Sequence, residues 1–90
     1  MDDSGRSKAA FLFTDLDLAN TFLDIAETTR FGYIRARNIA NARKAHGTVK
    51  HFTSRIELTD SESRTIRKEL RALEKRLIAA GLTKAAGKSN

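Results

Sequence analysis

The 90-residue sequence contains no cysteine, no proline and no tryptophan, and it has only one tyrosine. Without cysteine the chain has no disulfide framework, no thiol chemistry and no cysteine-ligated zinc site. No apolar stretch approaches the roughly 18 residues of a membrane-spanning helix. The longest run, Ala9 to Phe13, is too short for the core of a signal peptide. We therefore expect a cytoplasmic protein that does not enter a membrane.

The chain does contain 40% hydrophobic and 31% charged residues, in a length that suits one domain. This apolar content is enough for one small core and too little for a deep catalytic cleft. We expect a single three-helix domain over residues 9–82. Residues 1–8 and the basic tail at 83–90 lack large apolar side chains over most of their length, and we expect both to be disordered.

The first helical pattern covers residues 14–29. Thr14 followed by Asp17 fits a relaxed capping box, and Phe13 and Leu18 are spaced to form a hydrophobic staple. An alternative start at Ser7 would place the preceding phenylalanines inside the helix, and both starts remain open. The apolar stripe that follows recurs at three and four residues and comprises Leu16, Ala19, Leu23 and Ala26.

The second helical pattern covers residues 33–55. Asn38 lies on its apolar stripe, where it is either a register-setting polar group or a residue of a frayed first turn. The stripe comprises Asn38, Ala42, Ala45, Val49, Phe52 and Ile56.

The third helical pattern covers residues 60–80 and has the clearest boundaries. Thr59 and Glu62 have the spacing of a full capping box. Gly81 stands where a helix-terminating glycine is expected, with Leu82 placed to pack against Leu77 in a Schellman ending. The apolar stripe comprises Ile66, Leu70, Leu73 and Leu77.

Connections of a few residues between long helices favour antiparallel neighbours. No segment shows the alternation of a β-strand. The predicted fold is all-α, an up-down-up bundle of three helices.

The net charge of +6 is unevenly distributed along the chain. Residues 1–29 are acidic overall, whereas residues 30–56 contain seven basic and no acidic side chains. Antiparallel packing would therefore place opposite charges along the seam between the first two helices. On the third helix, basic residues share one arc opposite the apolar stripe and repel one another at i,i+4 spacing. This basic face is either a solvated surface or a site for a polyanion, and it comprises Arg64, Arg67, Lys68, Arg71 and Lys75.

A second surface feature is a line of small residues on the second helix. Ala40, Gly47 and Ser54 are spaced by seven residues and stack on one side of the helix. Small side chains permit the close approach of a second helix, although alanine also simply favours helix and Gly47 could mark a tolerated kink. The predicted rim of this interface comprises Arg43, Lys44 and Lys50.

Catalytic and metal-binding patterns are missing from the sequence. His46 and His51 are five residues apart and point about 140° away from each other on a helix, so they cannot hold one metal from one face. There is no glycine-rich phosphate loop and no nucleophile elbow. We expect no catalytic residues, no cofactor, no metal and no small-molecule substrate.

Two parts of the sequence resemble known helical proteins. The motif Ala42-x-x-Ala45-His46-x-x-Val49-x-x-Phe52 resembles the packing of tetratricopeptide-type helical hairpins. With the third helix included, the chain is similar to the three-helix microtubule-interacting-and-trafficking module. The tryptophan and closing proline of tetratricopeptide repeats are absent, and there is no internal repeat of about 34 residues. Short bacterial proteins of unassigned function are also similar at Asp17-Leu18-Ala19-Asn20-Thr21-Phe22-Leu23 and Asn41-Ala42-Arg43-Lys44-Ala45.

The resemblance implies a helical protein-interaction role and carries no site residues with it. We therefore expect a non-enzymatic interaction module that forms a homodimer or binds a partner helix. The alternative is sequence-tolerant binding of nucleic acid or another polyanion through the basic face of the third helix.

Overall fold

The computed structural model describes the backbone of residues 3–89 and the side chains of residues 9–81. Three helices make up the fold: α1 (Asp3–Thr28), α2 (Gly32–Thr53) and α3 (Asp60–Ser89). All three pairs of helices are in contact, and α1 and α2 share the most extensive interface. The described residues contain no strand. The predicted all-α, up-down-up bundle is confirmed, and it forms a rod of 56 × 18 × 17 Å.

The core is organised around one apolar stripe on α1. The four residues predicted for this stripe are buried, and the same spacing continues toward the N-terminus through two more buried residues. A repeat of this kind is the a/d pattern of a coiled-coil seam. The complete stripe comprises Ala9, Leu12, Leu16, Ala19, Leu23 and Ala26.

This longer stripe explains why the predicted start of the first helix at residue 14 is wrong. Because Leu12 and Ala9 are buried in register with the rest of the stripe, the helix continues through Thr14 and begins at Asp3. Thr14 is an exposed residue of a helix interior and therefore cannot act as an N-cap. The hydrophobic staple predicted for Phe13 disappears with that cap. The alternative start at Ser7 is closer to the structure.

The other two helices contribute fewer fully buried side chains. Several predicted stripe residues are only half-buried and pack against the core, including Ala45, Ile56 and Leu70. Asn38 donates a hydrogen bond from Nδ2 to the carbonyl oxygen of Ile34 at 2.8 Å, so this amide is satisfied within its own helix. The buried residues of α2 and α3 are Ile39, Ala42, Val49, Ile66, Leu73 and Leu77.

The turn between α1 and α2 is held by an arginine. Arg35 donates from Nε to the carbonyl oxygen of Ala26 at 3.2 Å and from Nη2 to that of Thr29 at 3.1 Å. Carbonyl groups in the last turn of a helix lack intrahelical partners, and a cationic donor satisfies them well. A side chain of α2 thus completes the end of α1.

The start of α3 is formed by the predicted capping box. The backbone N–H of Thr59 donates to Oε1 of Glu62 at 2.9 Å, and the N–H of Glu62 donates to Oγ1 of Thr59 at 3.1 Å. These reciprocal bonds satisfy two backbone donors at the boundary, as the sequence pattern predicts.

The predicted end of α3 at Gly81 is wrong. The helix continues to Ser89, and the described glycines include none with the positive φ that a Schellman ending needs. The residues after Gly81 include Lys84, Ala85 and Ala86, which favour helix, and no proline interrupts them. The backbone at residues 3–8 and 83–89 is helical where disorder was predicted, and the side chains of residues 1–8 and 82–90 lie outside the described residues.

A glycine in a helix interior predicts a stabilising substitution. Gly81→Ala should raise the free energy of unfolding by about 0.5–1 kcal/mol, because alanine favours helix over glycine by that amount. The added Cβ would lie 3.2 Å from Nη2 of Arg43, the flexible end of an exposed side chain that has room to move. Thermal or urea unfolding followed by circular dichroism measures the difference.

Gly47→Ala is the matched control, since nothing lies within 4 Å of its added Cβ. Both variants should be stabilised to a similar degree. If Gly47→Ala stabilises the protein and Gly81→Ala destabilises it, then Gly81 is a left-handed helix terminus after all.

Candidate functional site

The groove between α1 and α3 is closed by one arginine. Arg76 donates from Nη2 to Oδ1 of Asp24 at 3.0 Å and to Oε2 of Glu27 at 2.9 Å, and from Nη1 to Oδ1 of Asn20 at 2.8 Å. The hydrogen bond to Glu27 raises the pKa of Arg76 above its ordinary value, burial opposes this rise, and Asp24 adds to it. This cation is therefore neutralised by two carboxylates of α1, and the α1/α3 groove offers no free charge at this point.

Opposite charges lie beside the α1/α2 seam at Asp15 and Lys44, as predicted, but these two side chains form no ion pair. Among side chains 9–81, both ion pairs link α1 to α3, and none links α1 to α2. Charge totals of two segments do not determine which face of each helix carries the charges. The acidic residues Asp24 and Glu27 lie on the face of α1 turned toward α3, which leaves the basic residues of α2 without these partners.

A basic cleft lies between α2 and α3, with a volume of about 190 Å³. It brings Arg67 and Arg71 of the predicted basic face together with Lys50 and His46 of α2. This combination was not predicted, because Lys50 was expected on the rim of a different surface. The residues lining the cleft are His46, Lys50, Arg67, Leu70, Arg71 and Glu74.

The remaining predicted cations of α3 have a different position. Arg64, Lys68 and Lys75 are exposed on the same helix but do not line the cleft. They extend its positive charge along the outer surface of α3. All five residues of the predicted basic face are exposed, and among side chains 9–81 none of them has a carboxylate within 4.0 Å.

The predicted line of small residues is exposed on the outer face of α2. Ala40 and Gly47 face solvent, and Ser54 is the exposed C-cap residue just beyond the helix end, with its Oγ donating to the carbonyl oxygen of His51 at 3.1 Å. The predicted rim residues lie on the two sides of this line, and Nη2 of Arg43 lies near Gly81 of α3. Lys50 lines the cleft toward α3, whereas Lys44 lines a groove toward α1.

That second groove, between α1 and α2, is mainly apolar at its surface, has polar residues in its lining, and was not predicted. Phe11, Leu18 and Ile25 are spaced by seven residues along α1 and remain 44%, 45% and 41% exposed. Phe11 contacts Phe52 of α2 edge to face, with ring centroids 6.0 Å apart. The middle of the groove has a volume of about 310 Å³ and is lined by Asp15, Leu18, Phe22, Asn41, Lys44, Ala45 and Thr48.

This apolar groove lies away from α3. The α1 residues that contact Arg76 are on the opposite flank of the helix from Leu18 and Phe22, as their separation on a helical wheel requires. We call the surface formed by Phe11, Leu18, Ile25 and the groove beside them the open groove. Phe11, Leu18 and Ile25 repeat every seven residues, as do the buried residues of the core stripe on α1.

The two histidines occupy separate surfaces. His46 lines the basic cleft, and the exposed ring of His51 contacts Phe52 edge to face, with centroids 4.9 Å apart. Within the described part of the chain, no group of three or more potential ligands is arranged to hold a metal ion. No described helix is long and apolar enough to cross a membrane.

Comparison with known proteins finds no matching family model, no similar curated protein and no similar solved structure. The resemblance to tetratricopeptide-type and microtubule-interacting-and-trafficking modules therefore stays a prediction.

The basic face predicts a variant that is more stable than the natural protein. Arg71 lies four residues from both Arg67 and Lys75, and each such like-charge pair destabilises a helix by a few tenths of a kcal/mol. Arg71→Glu turns three like-charge spacings, to Arg67, Lys68 and Lys75, into opposite-charge ones, and turns the favourable spacing to Glu74 into a like-charge one. We expect the free energy of unfolding to rise by up to about 0.5 kcal/mol at low salt, and less at high salt.

Urea unfolding at two salt concentrations measures this change. Arg30→Glu is a control with the same change in charge, at an exposed residue of the turn between α1 and α2. If Arg71→Glu lowers the free energy of unfolding by more than Arg30→Glu does, then Arg71 has a carboxylate partner in solution and the expectation is wrong.

Proposed function

We propose that this protein is a non-enzymatic helical interaction module that forms a homodimer through the open groove. The observation that carries the proposal is the line of Phe11, Leu18 and Ile25, each more than two-fifths exposed, beside an apolar groove. Scattered apolar residues on a surface are ordinary, but three large apolar side chains exposed on one line of a helix, beside a groove, favour an interaction site.

The shape of the open groove suits a helix. Its exposed line runs from residue 11 to residue 25, which corresponds to about 21 Å along a helix axis. Its residues repeat at the spacing that aligns ridges of one helix with grooves of another. A further helix lying there would complete a four-helix arrangement and cover the exposed phenylalanine and leucine side chains.

The charges around the groove favour a second copy of this chain as the occupant. The groove carries one acidic and one basic side chain, Asp15 on α1 and Lys44 on α2. In a twofold symmetric dimer, the same patch meets itself, so that Asp15 of each copy is placed to face Lys44 of the other. The groove is thus self-complementary in charge as well as apolar.

The alternative surface for self-association, formed by Ala40, Gly47 and Ser54, is less suitable. Residues 30–56 contain seven basic and no acidic side chains. A twofold contact through this face of α2 would bring cations of both copies together without carboxylates to offset them. Like charges placed close together oppose association. The line of small residues is therefore a less suitable homodimer interface than the open groove.

Replacing Leu18 by a charged residue tests the open groove. Leu18→Asp should weaken the dimer by about 100-fold or more, because each copy would bury an unpaired carboxylate in an apolar interface. The fold of one copy should survive, since Leu18 is nearly half exposed. Size-exclusion chromatography with light scattering gives the mass, and circular dichroism gives the helix content.

Gly47→Leu is the matched control, because it adds bulk to the exposed outer face of α2. We expect its mass to equal that of the unmodified dimer. If Gly47→Leu dissociates the dimer and Leu18→Asp does not, the small-residue line is the interface. If the unmodified protein is a monomer at high concentration, the homodimer proposal is rejected and the groove would need a different partner helix.

Charge exchange identifies the second copy as the occupant. Asp15→Lys and Lys44→Asp should each weaken the homodimer, because each places like charges across the interface. An equimolar mixture of the two variants should form a heterodimer more strongly than either variant alone, since both facing pairs are then opposite in charge. Mixing does not change either chain by itself, so any gain in dimer stability must come from contacts between the two chains. A heterodimer no more stable than the homodimers of the separate variants would contradict this pairing.

A further inference from the structure

The basic cleft contains charge that the fold does not use. On α3, Arg76 is neutralised by Asp24 and Glu27, whereas Arg67 and Arg71 have no carboxylate within 4.0 Å among side chains 9–81. The hydrogen bond of Arg67 is a long one, from Nη2 to Oγ of Ser63 at 3.4 Å. Arg76 of α3 therefore stabilises the fold, whereas Arg67 and Arg71 are not neutralised by carboxylates of the described side chains.

Both helices contribute to this concentration of charge. Lys50 of α2 lines the same cleft as Arg67 and Arg71, although a basic residue on the facing helix repels both. Glu74 is the one acidic residue lining the cleft, so positive charge exceeds negative charge there. The cations of the cleft repel one another, and a bound anion would reduce this repulsion.

The cations continue in a row along one face of α3. From Arg64 to Lys75 they cover about 16 Å at about 1.5 Å per residue, and all five are exposed. The phosphates of a nucleic acid also form a row of charge, of the opposite sign. Guanidinium groups, which predominate in this row, present forked donors that match phosphate oxygens.

The cleft has few aromatic side chains for base stacking, and His46 is the one aromatic ring among the residues that line it. Its lining contains no phenylalanine, tyrosine or tryptophan on which a base could stack. Contacts confined to phosphates position a nucleic acid without specifying its sequence.

We propose that the α2/α3 cleft binds the phosphodiester backbone of nucleic acid, with Lys50, Arg67 and Arg71 contacting phosphates and the outer cations of α3 extending the contact. The proposal does not rest on the homodimer. The cleft lies on the α3 side of α2, away from the open groove, so a dimer would present two such clefts and a monomer one.

The test measures binding of a fluorescently labelled DNA duplex of about 20 base pairs by anisotropy, between about 50 and 200 mM salt. The double variant Arg67→Glu/Arg71→Glu should bind at least about tenfold more weakly at the lower salt concentration. The slope of log affinity against log salt should become shallower by about two, one for each phosphate that the variant no longer neutralises. Circular dichroism confirms that the exposed substitutions leave the helices intact.

The matched control is Arg30→Glu/Arg37→Glu, which changes the net charge equally at two exposed arginines outside the cleft. We expect it to retain most of the affinity and nearly all of the salt slope. An equal loss in both double variants would overturn the proposal, because binding would then depend on net charge and not on the cleft.

A gain of affinity provides a second readout. Glu74→Gln removes the acidic residue from the cleft and should tighten DNA binding about threefold, the effect expected of one charge about 7 Å away in water. No change or a loss of affinity in this variant would contradict phosphate binding at the cleft. Polyglutamate and unlabelled DNA are compared as competitors at the same concentration of charge. If polyglutamate competes as strongly as DNA, the cleft binds acidic polypeptides equally well and the nucleic-acid proposal is overturned.

Discussion

The narrow seam along α1 is the constraint on which the rest of the structure depends. Its buried residues follow an a/d repeat that consists of three alanines and three leucines. The small alanine side chains permit a close approach of the neighbouring helices. A seam of this type hides about two of every seven residues of a helix. In a chain of 90 residues, the other apolar side chains and nearly all the charges must then lie on outer surfaces. The arrangement of those surfaces determines what the protein can bind.

Three helices have three grooves, and in this protein each groove has a different chemistry. The α1/α3 groove is closed by Arg76 and its carboxylate partners. The α1/α2 groove is apolar and bordered by exposed Phe11, Leu18 and Ile25. The α2/α3 groove is basic. Because Asp24 and Glu27 of α1 pair with Arg76 of α3, the outer cations of α3 have no carboxylate within 4.0 Å among side chains 9–81, and the proposed self-association uses the α1/α2 side.

Local sequence signals predicted those parts of the fold that depend on neighbours in the chain. The stripe of Leu16 and Leu23 and the capping box of Thr59 with Glu62 are examples, since both depend on spacing of three or four residues. The predicted helix ends at Thr14 and Gly81 are wrong for a related reason. Each residue type is compatible with a cap and with a helix interior, and the surrounding packing or helix propensity decides between them.

The grooves could be predicted only in part, because they join residues far apart in the sequence. The spacing of Phe11, Leu18 and Ile25 is visible in the sequence as a second seven-residue line and would have indicated an apolar surface. The meeting of Lys50 with Arg71 was not predictable in this way. It depends on the rotation of α2 and α3 about their axes, which the mutual packing of all three helices fixes.

Nuclear magnetic resonance spectra recorded during dilution of the unmodified protein test the central claim most directly, since they locate self-association residue by residue. We predict that backbone amide shifts change with concentration at Leu18, Phe22, Ala45 and Thr48, while those of Ala40 and Gly47 stay constant. Changes centred on Ala40 and Gly47, or no concentration dependence anywhere, would contradict the assignment of the open groove as the surface where two copies meet.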